Sequence, residues 1–489
     1  MKRDRGFGQG FPPRTIAIVG VSRSEHMYIP GYTGSRLFRI LRESGFQGRI
    51  YPVNPKADII DGVKAYPSVT SVPEPLDLVT ISVPAAAVPQ VLEDCIAAGA
   101  LNVQILTSGF GETGEAEGKR LEKRIREIAL RGGLRIIGPN CMGFHIPSIR
   151  MKMFEEVELV QGPVAFVSQS GGHARIYLLQ GPQLGIGFSK VISYGNALMM
   201  DATDFLDYLA TDPETQIICM YLEGIKDGGR FAKLVRQLNP TKPVIIWKGG
   251  LTYSGARAAS SHTGSLAGDR QIWDAFFKQT GAIEVDSIEE MAEITMALLR
   301  LKSSTGRRVA VLGAGGGDSV ATGDICAEEG LEMPAISPQT RAGLLEFVSL
   351  VNQGVMNPLD IPMVFGDIST LQRTLELLAA DPLIDIIILH VFAEFFPKIW
   401  GHRMAEFEEC ISNVTEKAPG GKPIVLAVTD ESKTEAPEKY ARELVGAGIP
   451  AYTSLRGACR ALSRFARYHE FVAAGRTDAS RPTAGTWHT

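Results

Sequence analysis

The chain lacks the features that mark several common protein classes. Its six cysteines, at positions 95, 141, 219, 326, 410 and 459, form no C-x-x-C pair. This spacing argues against a zinc site or a disulfide framework, and we expect reduced, buried thiols and no metal site. No apolar run approaches the ~18 residues that cross a bilayer. The longest run, residues 384–391, already contains Asp385 and His390. We therefore expect no contact with a membrane.

A concentration of positive charge is also missing. The chain has 50 Lys and Arg against 54 Asp and Glu, for a net charge of −4, and its basic residues are spread along the chain. Nucleic-acid-binding surfaces depend on clustered basic residues, so we expect no nucleic-acid partner. Residues 1–13 are basic and glycine-rich without an apolar segment. We therefore expect no signal peptide and a cytoplasmic protein.

What the chain does have is a repeated alternation of strand and helix. Short β-branched runs occur at 15–19, 78–83, 102–106 and 135–137, and amphipathic stretches such as 88–98 and 115–131 separate them. This alternation predicts an α/β fold with parallel, doubly wound sheets.

The alternation restarts twice, and 489 residues suit about three domains at roughly 150 residues each. We predict α/β domains at 14–148, 160–302 and 308–472. The last should hold strands near 384–389 and 423–428 and a closing helix at 455–471. The tail at 475–489 has the composition of a disordered segment.

Glycine and polar residues follow the predicted strands of the first domain. In open α/β sheets ligands bind beyond the carboxyl ends of the strands, and glycine turns let backbone amides approach phosphate. Any single segment is better explained by glycine and proline ending a strand, but four on one edge favour a ligand site. These four segments are Tyr51-Pro-Val-Asn-Pro-Lys56, Val83-Pro84, Thr107-Ser-Gly-Phe-Gly-Glu112 and Gly138-Pro-Asn-Cys-Met-Gly143, and the turn Gly20-Val-Ser22 after the first strand joins them.

The segment Ser168-Gln-Ser170-Gly171-Gly172 lies between a predicted strand and a predicted helix. Free amides at a helix start form an anion site, helped here by the Ser170 hydroxyl. The same serine is equally explained as a plain N-cap.

The most unusual segment is Arg257-Ala-Ala-Ser-Ser-His262-Thr-Gly-Ser-Leu-Ala-Gly268. It surrounds one histidine with small residues, and a neutral imidazole nitrogen is available as a nucleophile near neutral pH. A phosphorylated imidazole is suited to passing phosphate onward. The alternative is an ordinary surface-loop histidine.

Glu223 ends another strand of the second domain. Its carboxylate could orient an imidazole and stabilise its charged, phosphorylated form. The alternative is a solvated glutamate at a strand end.

Taken in order, seven of these motifs resemble the α subunit of ADP-forming acyl-CoA synthetases of the acetate–CoA type, relatives of succinyl-CoA synthetase. They include Thr-Ser-Gly-Phe-Gly-Glu112, Tyr-Leu-Glu223-Gly and Ser-His262-Thr-Gly. The resemblance covers about residues 14–470, and 357–360 and 313–317 are similar to the third domain of that family. It implies a Rossmann-like CoA-binding domain followed by two flavodoxin-like domains.

The resemblance also implies roles for individual residues. His262 would be the transient phosphohistidine, with Glu223 as its partner. Ser168, Ser170, Gly171 and Gly172 would cradle its phosphate. The residues implied to bind CoA are Gly20, Ser22, Asn54, Lys56, Val83, Pro84, Ser108, Gly109, Asn140 and Cys141.

The implied reaction converts a carboxylic acid, CoA and ATP into acyl-CoA, ADP and phosphate through an acyl phosphate. No Gly-rich loop with lysine follows Phe471, so a separate ATP-grasp β subunit that binds ATP and most of the Mg²⁺ is implied, in a hetero-oligomer. His173 departs from the small residue expected after the Ser-Gln-Ser-Gly turn. The acid stays open among small, aryl and sulfonated carboxylic acids.

Two other functions compete with this reading. An NAD-dependent dehydrogenase would use the turn at Gly313 and Gly315, but Asp318 stands where its fingerprint needs glycine. A non-catalytic module that senses CoA or acyl-CoA would keep the fold without the chemistry. The presence of both His262 and Glu223 argues against that second alternative.

Overall fold

The computed structural model describes residues 8, 10–22, 33–255, 257, 268–302, 306–313, 316–351, 353–401, 403–417, 421–430 and 434–479. The chain divides into two compact units. The first comprises Met1–Pro182 and Ile186–Met291, and the second Gln183–Gly185 and Ala292–Thr489. The division falls at residues 291–292, whereas the sequence places its second domain boundary at 302–308.

The first unit begins with a five-stranded parallel sheet in the order β2-β1-β5-β6-β7. Its strands are rich in Ile and Val because parallel strands are buried on both faces. The elements are β1 (Thr15–Val19), α1 (Gly34–Glu43), β2 (Arg49–Val53), the small hairpin β3 (Ile59–Ile60) and β4 (Val63–Lys64), β5 (Leu78–Ile81), α2 (Val88–Ala97), β6 (Asn102–Ile105), α3 (Ala116–Gly132) and β7 (Arg135–Ile137).

A six-stranded sheet completes the first unit, in the order β13-β12-β11-β9-β10-β8. All neighbours are parallel except β8, which pairs antiparallel with β10 at one edge. The elements are β8 (Gly143–His145), β9 (Gln161–Ser168), α4 (Gly171–Gln180), β10 (Phe188–Ser193), α5 (Ala202–Thr211), β11 (Ile217–Leu222), α6 (Gly228–Leu238), β12 (Val244–Lys248), α7 (Arg270–Thr280) and β13 (Ile283–Val285). Helix α8 (Ile288–Arg300) follows, and the division between the two units falls within it.

The second unit contains a four-stranded parallel sheet in the order β14-β15-β16-β17. Helix α15 extends past the predicted end at 471 and covers Gly475 to Ala479, which the sequence assigned to a disordered tail; residues 480–489 lie outside the described part. The elements are β14 (Val309–Leu312), α9 (Gly316–Glu328), α10 (Pro338–Leu345), α11 (Ile368–Ala380), β15 (Ile386–Phe392), α12 (Phe396–Ile399), α13 (Met404–Lys417), β16 (Ile424–Thr429), α14 (Ala436–Gly446), β17 (Ala451–Tyr452) and α15 (Leu455–Ala479).

The two sheets of the first unit share a hydrophobic core. Ile16 and Phe38 from the first sheet region belong to the same buried cluster as Ile192 and Phe205 from the second. A shared core fixes one sheet against the other, so loops at their edges hold constant positions. All six cysteines are buried, free thiols, as predicted. In the described part of the chain, no helix combines the length and apolar character needed to span a bilayer.

Candidate functional site

The first candidate site is the carboxyl edge of the five-stranded sheet. Because its strands are parallel, the loops that follow them all lie along this edge. The structure therefore brings the predicted CoA-binding residues to one edge in pairs, namely Gly20 and Ser22, Asn54 and Lys56, Val83 and Pro84, Ser108 and Gly109, and Asn140 and Cys141.

Hydrogen bonds tie the loops after β1 and β2 together. The Gly20 amide donates to the Val53 carbonyl at 3.1 Å. Asn54 Nδ2 donates to the Val21 carbonyl at 2.7 Å, and Asn54 Oδ1 accepts from the Lys56 amide at 2.8 Å. Lys56 is exposed. Asn54 therefore shapes the edge, and its lysine neighbour projects a positive charge from it.

Gly20 cannot be replaced by a residue with a side chain without disturbing this edge. Its φ is +96°, in the left-handed region that favours glycine. A Cβ atom would lie 2.1 Å from the Ser82 carbonyl oxygen. Gly20 therefore lets the loop after β1 turn closely against Ser82, and its own amide is held by the Val53 carbonyl.

The other half of the edge is tied in the same way. Thr107 Oγ1 donates to the Val83 carbonyl at 2.7 Å, and the Asn140 amide donates to the Thr107 carbonyl at 3.1 Å. The Gly109 amide donates to Glu112 Oε1 at 2.6 Å. The loops after β5, β6 and β7 thus form one connected surface.

Sequence reasoning missed two serines of this edge. Ser35 Oγ accepts from the Ser22 amide at 2.8 Å, and Ser82 Oγ accepts from the Gly34 amide at 2.8 Å at the start of α1. Each lies beside a predicted site residue, but an isolated serine carries no spacing signal. Their role depends on the approach of α1 to β5.

Cys141 lies in the loop after β7 at this edge, but its side chain points into the protein interior rather than toward a ligand. Its thiol is buried and lies 3.4 Å from the Ile105 carbonyl. Burial raises the pKa of this thiol to about 12. The side chain is therefore an inert packing group rather than a nucleophile.

The loop between β7 and β8 joins this edge to the second candidate site. The Met142 amide donates to Ser193 Oγ at 3.2 Å, and Asn140 Nδ2 donates to Asn196 Oδ1 at 3.3 Å. A Cβ atom on Gly171 would lie 2.4 Å from Met142 Cγ. The end of the first edge thus contacts the first residue of α4.

The start of α4 has the geometry of a phosphate-binding helix terminus. Ser170 is the N-cap, and its hydroxyl accepts from the His173 amide at 3.3 Å. Ser168 Oγ accepts from the Ser170 amide at 3.1 Å. In the described part of the chain, the amides of Gly171 and Gly172 donate no hydrogen bond. The cap is therefore present, and it leaves two helix-terminal amides for an anion.

Glu223 lies at the carboxyl end of β11, next to this helix start. Its side chain is buried, with the residue 5% exposed, so the solvated alternative does not apply. Tyr221 donates its hydroxyl to Glu223 Oε1 at 3.3 Å. Gln169 Oε1 accepts from the amides of Glu223 and Gly224, the latter at 2.9 Å. The Ser-Gln-Ser-Gly turn thus positions the glutamate backbone directly.

Lys248 is a charged residue of this site that sequence reasoning missed. It ends β12, is 5% exposed, and donates from Nζ to the carbonyls of Glu223, at 2.9 Å, and Gly249. Its ammonium lies 5.6 Å from the centre of the Trp273 ring. Burial lowers its pKa from 10.5 to about 8, and the Glu223 charge acts in the opposite direction. Lys248 therefore links the ends of β11 and β12.

His173, which departs from the pattern of the resembling family, packs against two aromatic rings. Its ring centre lies 4.2 Å from that of Tyr221 and 4.6 Å from that of Trp247. The rings of Tyr221 and Trp247 lie 4.9 Å apart, edge to face. This cluster forms an apolar wall beside the start of α4.

His262 lies outside the described residues, as does most of the segment that the sequence singled out around it. After β12 the described chain continues to residue 255, includes residue 257, and resumes at Gly268, just before α7. No group of three or more His, Cys, Asp or Glu side chains within the described ranges is arranged to hold a metal ion.

Comparison with known proteins agrees with this architecture. Residues 14–147 match the family model of a CoA binding domain, and residues 161–298 match that of a succinyl-CoA ligase like flavodoxin domain. The α subunit of acetate–CoA ligase [ADP-forming] II from Pyrococcus furiosus is 38% identical over 448 residues, which cover 90% of this chain and 93% of that protein. The chain belongs to the ADP-forming acetate–CoA ligase family.

Other members of the acetate–CoA ligase family support the assignment. Acetate–CoA ligase [ADP-forming] I of Archaeoglobus fulgidus is 36% identical over 95% of this chain, which spans 64% of that relative's length. The dinucleotide-forming acetyl-coenzyme A synthetase 1 of Ca. Korarchaeum cryptofilum, solved with phosphate and ADP, is 30% identical, with a TM-score of 0.81 over 98% of this chain and 100% of that one. The predicted fold class and family are confirmed, and the family finding excludes the dehydrogenase alternative.

Proposed function

We propose that this chain is the CoA-binding, phosphate-relaying subunit of an acyl-CoA synthetase that forms a nucleoside diphosphate. The overall reaction joins a carboxylic acid to CoA at the expense of ATP, which becomes ADP and phosphate. The observation that carries the proposal is the contact between the two candidate sites. Met142, at the end of the CoA edge, packs against Gly171 at the start of the phosphate helix.

The chemistry requires this proximity because two transfers share one phosphate. A carboxylate oxygen of the acid attacks the phosphorus of phosphorylated His262, and the P–N bond breaks to give an acyl phosphate and free imidazole. The CoA sulfur then attacks the acyl carbon, and the C–O bond to phosphate breaks to release inorganic phosphate. Both steps need a bound phosphate beside the CoA thiol, where the α4 amides would hold it.

Glu223 would act on the histidine rather than on the acid. A buried carboxylate that accepts an imidazole N–H holds the ring in one tautomer and stabilises its positive charge on phosphorylation. Tyr221 and Gln169 position this glutamate through its side chain and backbone. Ser168 and Ser170 would shape the phosphate cradle, with Gly171 and Gly172 supplying amides.

CoA would bind along the edge of the first sheet. The turn at Gly20 brings the loop after β1 against Ser82 on this edge, and Lys56 offers a positive charge for a CoA phosphate. Neutral groups on Asn54, Ser22 and Asn140 suit the amides of the pantetheine arm. The bound CoA would thereby extend toward Met142 and the phosphate helix.

A β subunit with an ATP-grasp fold would supply the nucleotide site and the Mg²⁺ that accompanies it. Two relatives named as α subunits, from Pyrococcus furiosus, support a partner of this kind, because this chain covers 93% and 98% of their lengths. His262 would exchange phosphate with the nucleotide on that partner. We further propose three α/β domains at 14–148, 160–302 and 308–472, and a cytoplasmic location.

Labelling with γ-labelled ATP tests the relay. The chain is mixed with a candidate β subunit and Mg²⁺, and acid-labile, base-stable phosphate is measured on this chain. We expect label on the wild type and none on a His262→Ala variant. A wild type that binds CoA but takes no label would overturn the relay and favour the CoA-sensing alternative.

A further inference from the structure

Three polar side chains form a hydrogen-bonded row where the two sheets of the first unit meet. Glu112 lies in the loop after β6, Asn140 in the loop after β7 and Asn196 in the loop after β10. Asn196 Nδ2 donates to Glu112 Oε2 at 2.6 Å, and Asn196 Oδ1 accepts from Asn140 Nδ2 at 3.3 Å. Neither Glu112 nor Asn196 has a role in the reaction described above.

Backbone amides hold Glu112 at one end of this row. The Gly109 amide donates to Glu112 Oε1 at 2.6 Å, and the Phe110 amide donates to both carboxylate oxygens at 3.2 Å. A carboxylate accepts hydrogen bonds and has no hydrogen to donate. The NH2 group of Asn196 must therefore face Glu112, and its Oδ1 must face Asn140.

The backbone around Asn196 packs closely against the loop that contains Asn140. The Asn196 amide donates to the Pro139 carbonyl at 3.0 Å, and the Leu198 amide donates to the Gly138 carbonyl at 2.9 Å. A Cβ atom on Gly195 would lie 2.2 Å from the Asn140 carbonyl oxygen. The two asparagines therefore keep their spacing, so the orientation of one side-chain amide determines that of the other.

The same reasoning decides which atom Asn140 presents to a ligand. Its NH2 group faces Asn196, so Oδ1 lies on the opposite side of the side-chain amide. In the described part of the chain, Asn140 Oδ1 accepts no hydrogen bond, and the residue is only half-buried. Asn140 therefore offers an acceptor, which suits a ligand N–H group.

The place of Asn140 along the edge indicates which part of CoA carries that N–H group, since CoA has N–H groups on its adenine and in its pantetheine arm. Strands β2 and β7 lie at opposite ends of the sheet, four strand spacings or roughly 19 Å apart. Lys56 follows β2 and suits the phosphates of the nucleotide end. Met142, in the same loop as Asn140, contacts Gly171 of the phosphate helix, where the thiol must react. The arm is therefore the part of CoA that passes Asn140.

We propose that Glu112 and Asn196 are positioning residues that turn the side-chain oxygen of Asn140 toward an amide N–H of the pantetheine arm of CoA. The inference rests on the proposed place of CoA along this edge. Glu112 and Asn196 would act on CoA only through Asn140.

Glu112→Gln tests the orientation with almost no change in size. Its side-chain oxygen should stay toward the Gly109 and Phe110 amides, so its NH2 group would turn toward Asn196. Asn196 and then Asn140 must rotate, and Asn140 would present its NH2 group to the N–H of CoA. We expect CoA affinity, measured by calorimetry on the full chain, to fall by at least about fivefold. Asn196→Ala lets Asn140 rotate in either direction and should lose less affinity than Glu112→Gln.

A second substitution should restore the lost affinity. In Glu112→Gln/Asn196→Asp, the carboxylate at position 196 accepts both from the amide at position 112 and from Asn140 Nδ2. The Asn140 oxygen would again face CoA, and we expect an affinity within about twofold of the wild type. Exposed Glu115→Gln is the matched control and should bind CoA as the wild type does. Wild-type affinity in Glu112→Gln, or a loss that the second substitution does not reverse, would overturn the inference.

A ligand without the arm separates orientation of Asn140 from general damage to the edge. We expect 3′-phospho-ADP, the part of CoA that lacks pantetheine, to bind equally well to the wild type and to Glu112→Gln. An equal loss for this ligand and for CoA would overturn the assignment to the arm. Thermal unfolding confirms that each variant is folded.

Asn140→Ala distinguishes failure of this inference from failure of the proposed CoA site. CoA affinity that falls in Asn140→Ala but not in Glu112→Gln would overturn the inference and leave CoA on this edge. Unchanged CoA affinity in Asn140→Ala would overturn both the inference and the proposed contact with Asn140. Phosphate labelling of His262 tests the relay independently of either result.

Discussion

The two candidate sites of the first unit are held in place by different kinds of interaction. At the edge of the five-stranded sheet, the contacts that fix the loops are backbone and neutral side-chain hydrogen bonds, such as Asn54 to Val21 and Thr107 to Val83. At the edge of the six-stranded sheet, two charged side chains are buried together. Glu223 and Lys248 are each 5% exposed.

This difference follows from the ligand that each site is proposed to bind. A long, flexible ligand such as CoA gains affinity from many weak contacts, so each of its binding residues contributes little. When a phosphoryl group is transferred, the charges on the atoms that lose and gain it change. Buried charged side chains act strongly on these changing charges because water does not screen them. We therefore expect single substitutions to have large effects at the second edge and smaller, graded effects at the first.

The largest effect should come from Glu223→Gln. The amide keeps the size of the side chain but loses the negative charge that stabilises a phosphorylated, positively charged imidazole. We expect the rate of His262 phosphorylation to fall on the order of 10²–10⁴-fold. Rapid-quench labelling with the β subunit measures this rate.

The matched control is Glu158→Gln, which removes a carboxylate from an exposed position of the same unit. It should leave the phosphorylation rate within twofold of the wild type. A Glu223→Gln rate equally close to the wild type would remove Glu223 from the mechanism.

Gly20→Ala should have the next largest effect, on stability and on CoA affinity together. The added Cβ would meet the Ser82 carbonyl at 2.1 Å, and φ is +96°. We expect a loss of at least about 2 kcal/mol in the free energy of unfolding. Urea unfolding measures this loss, and calorimetry measures CoA affinity in the folded fraction.

Gly99→Ala separates the two causes of that loss. Gly99 has φ of +71° with nothing within 4 Å of the added Cβ. It should therefore lose only about 1 kcal/mol, the cost of a left-handed backbone, and keep its CoA affinity. Equal losses for the two variants would show that the contact with Ser82 relaxes.

Strand positions were predictable because buried parallel strands are short β-branched runs that end in glycine. Observed strands Thr15–Val19 and Arg135–Ile137 match the predicted runs residue for residue. The predicted strand at 384–389 is observed at Ile386–Phe392, because its apolar run continues across both ends of the strand. Strand β8 was not predicted, since its antiparallel pairing depends on β10 rather than on a local pattern.

The parts of the candidate sites that could be predicted are those formed by residues adjacent in the sequence. The glycine turns and the Ser-Gln-Ser-Gly segment are of this kind, because neighbouring residues determine their backbone conformation. The burial of Lys248 could not be predicted, because a lysine at a strand end is ordinarily solvated. It is buried here because Trp273 of α7 lies against it.

Lys248→Met should remove a dependence of stability on pH. The folded pKa of Lys248 is about 8, against an ordinary 10.5, so between these pH values the unfolded chain binds the proton more strongly. Wild-type stability should therefore rise with pH across this window, relative to the variant, by on the order of 1–3 kcal/mol.

Urea unfolding of both proteins at the two ends of the window measures this difference. Exposed Lys119→Met controls for the loss of an ammonium group and should track the wild type. A difference between wild type and Lys248→Met that stays constant with pH would mean that the ammonium is solvated in the folded chain.

The smallest effect should come from Asn54, because its two hydrogen bonds are separable. Asn54→Ala removes both the donor to the Val21 carbonyl and the acceptor of the Lys56 amide, and should weaken CoA binding by about 1 kcal/mol. Asn54→Asp keeps the acceptor and places a negative charge where a CoA phosphate would approach. If the hydrogen bond from the Lys56 amide to residue 54 matters most, the Asn54→Asp variant should bind CoA more tightly than Asn54→Ala. If the positive charge of Lys56 matters most, Asn54→Asp should bind CoA more weakly than Asn54→Ala. Calorimetry at low and high salt separates these cases, since only the charge effect is screened.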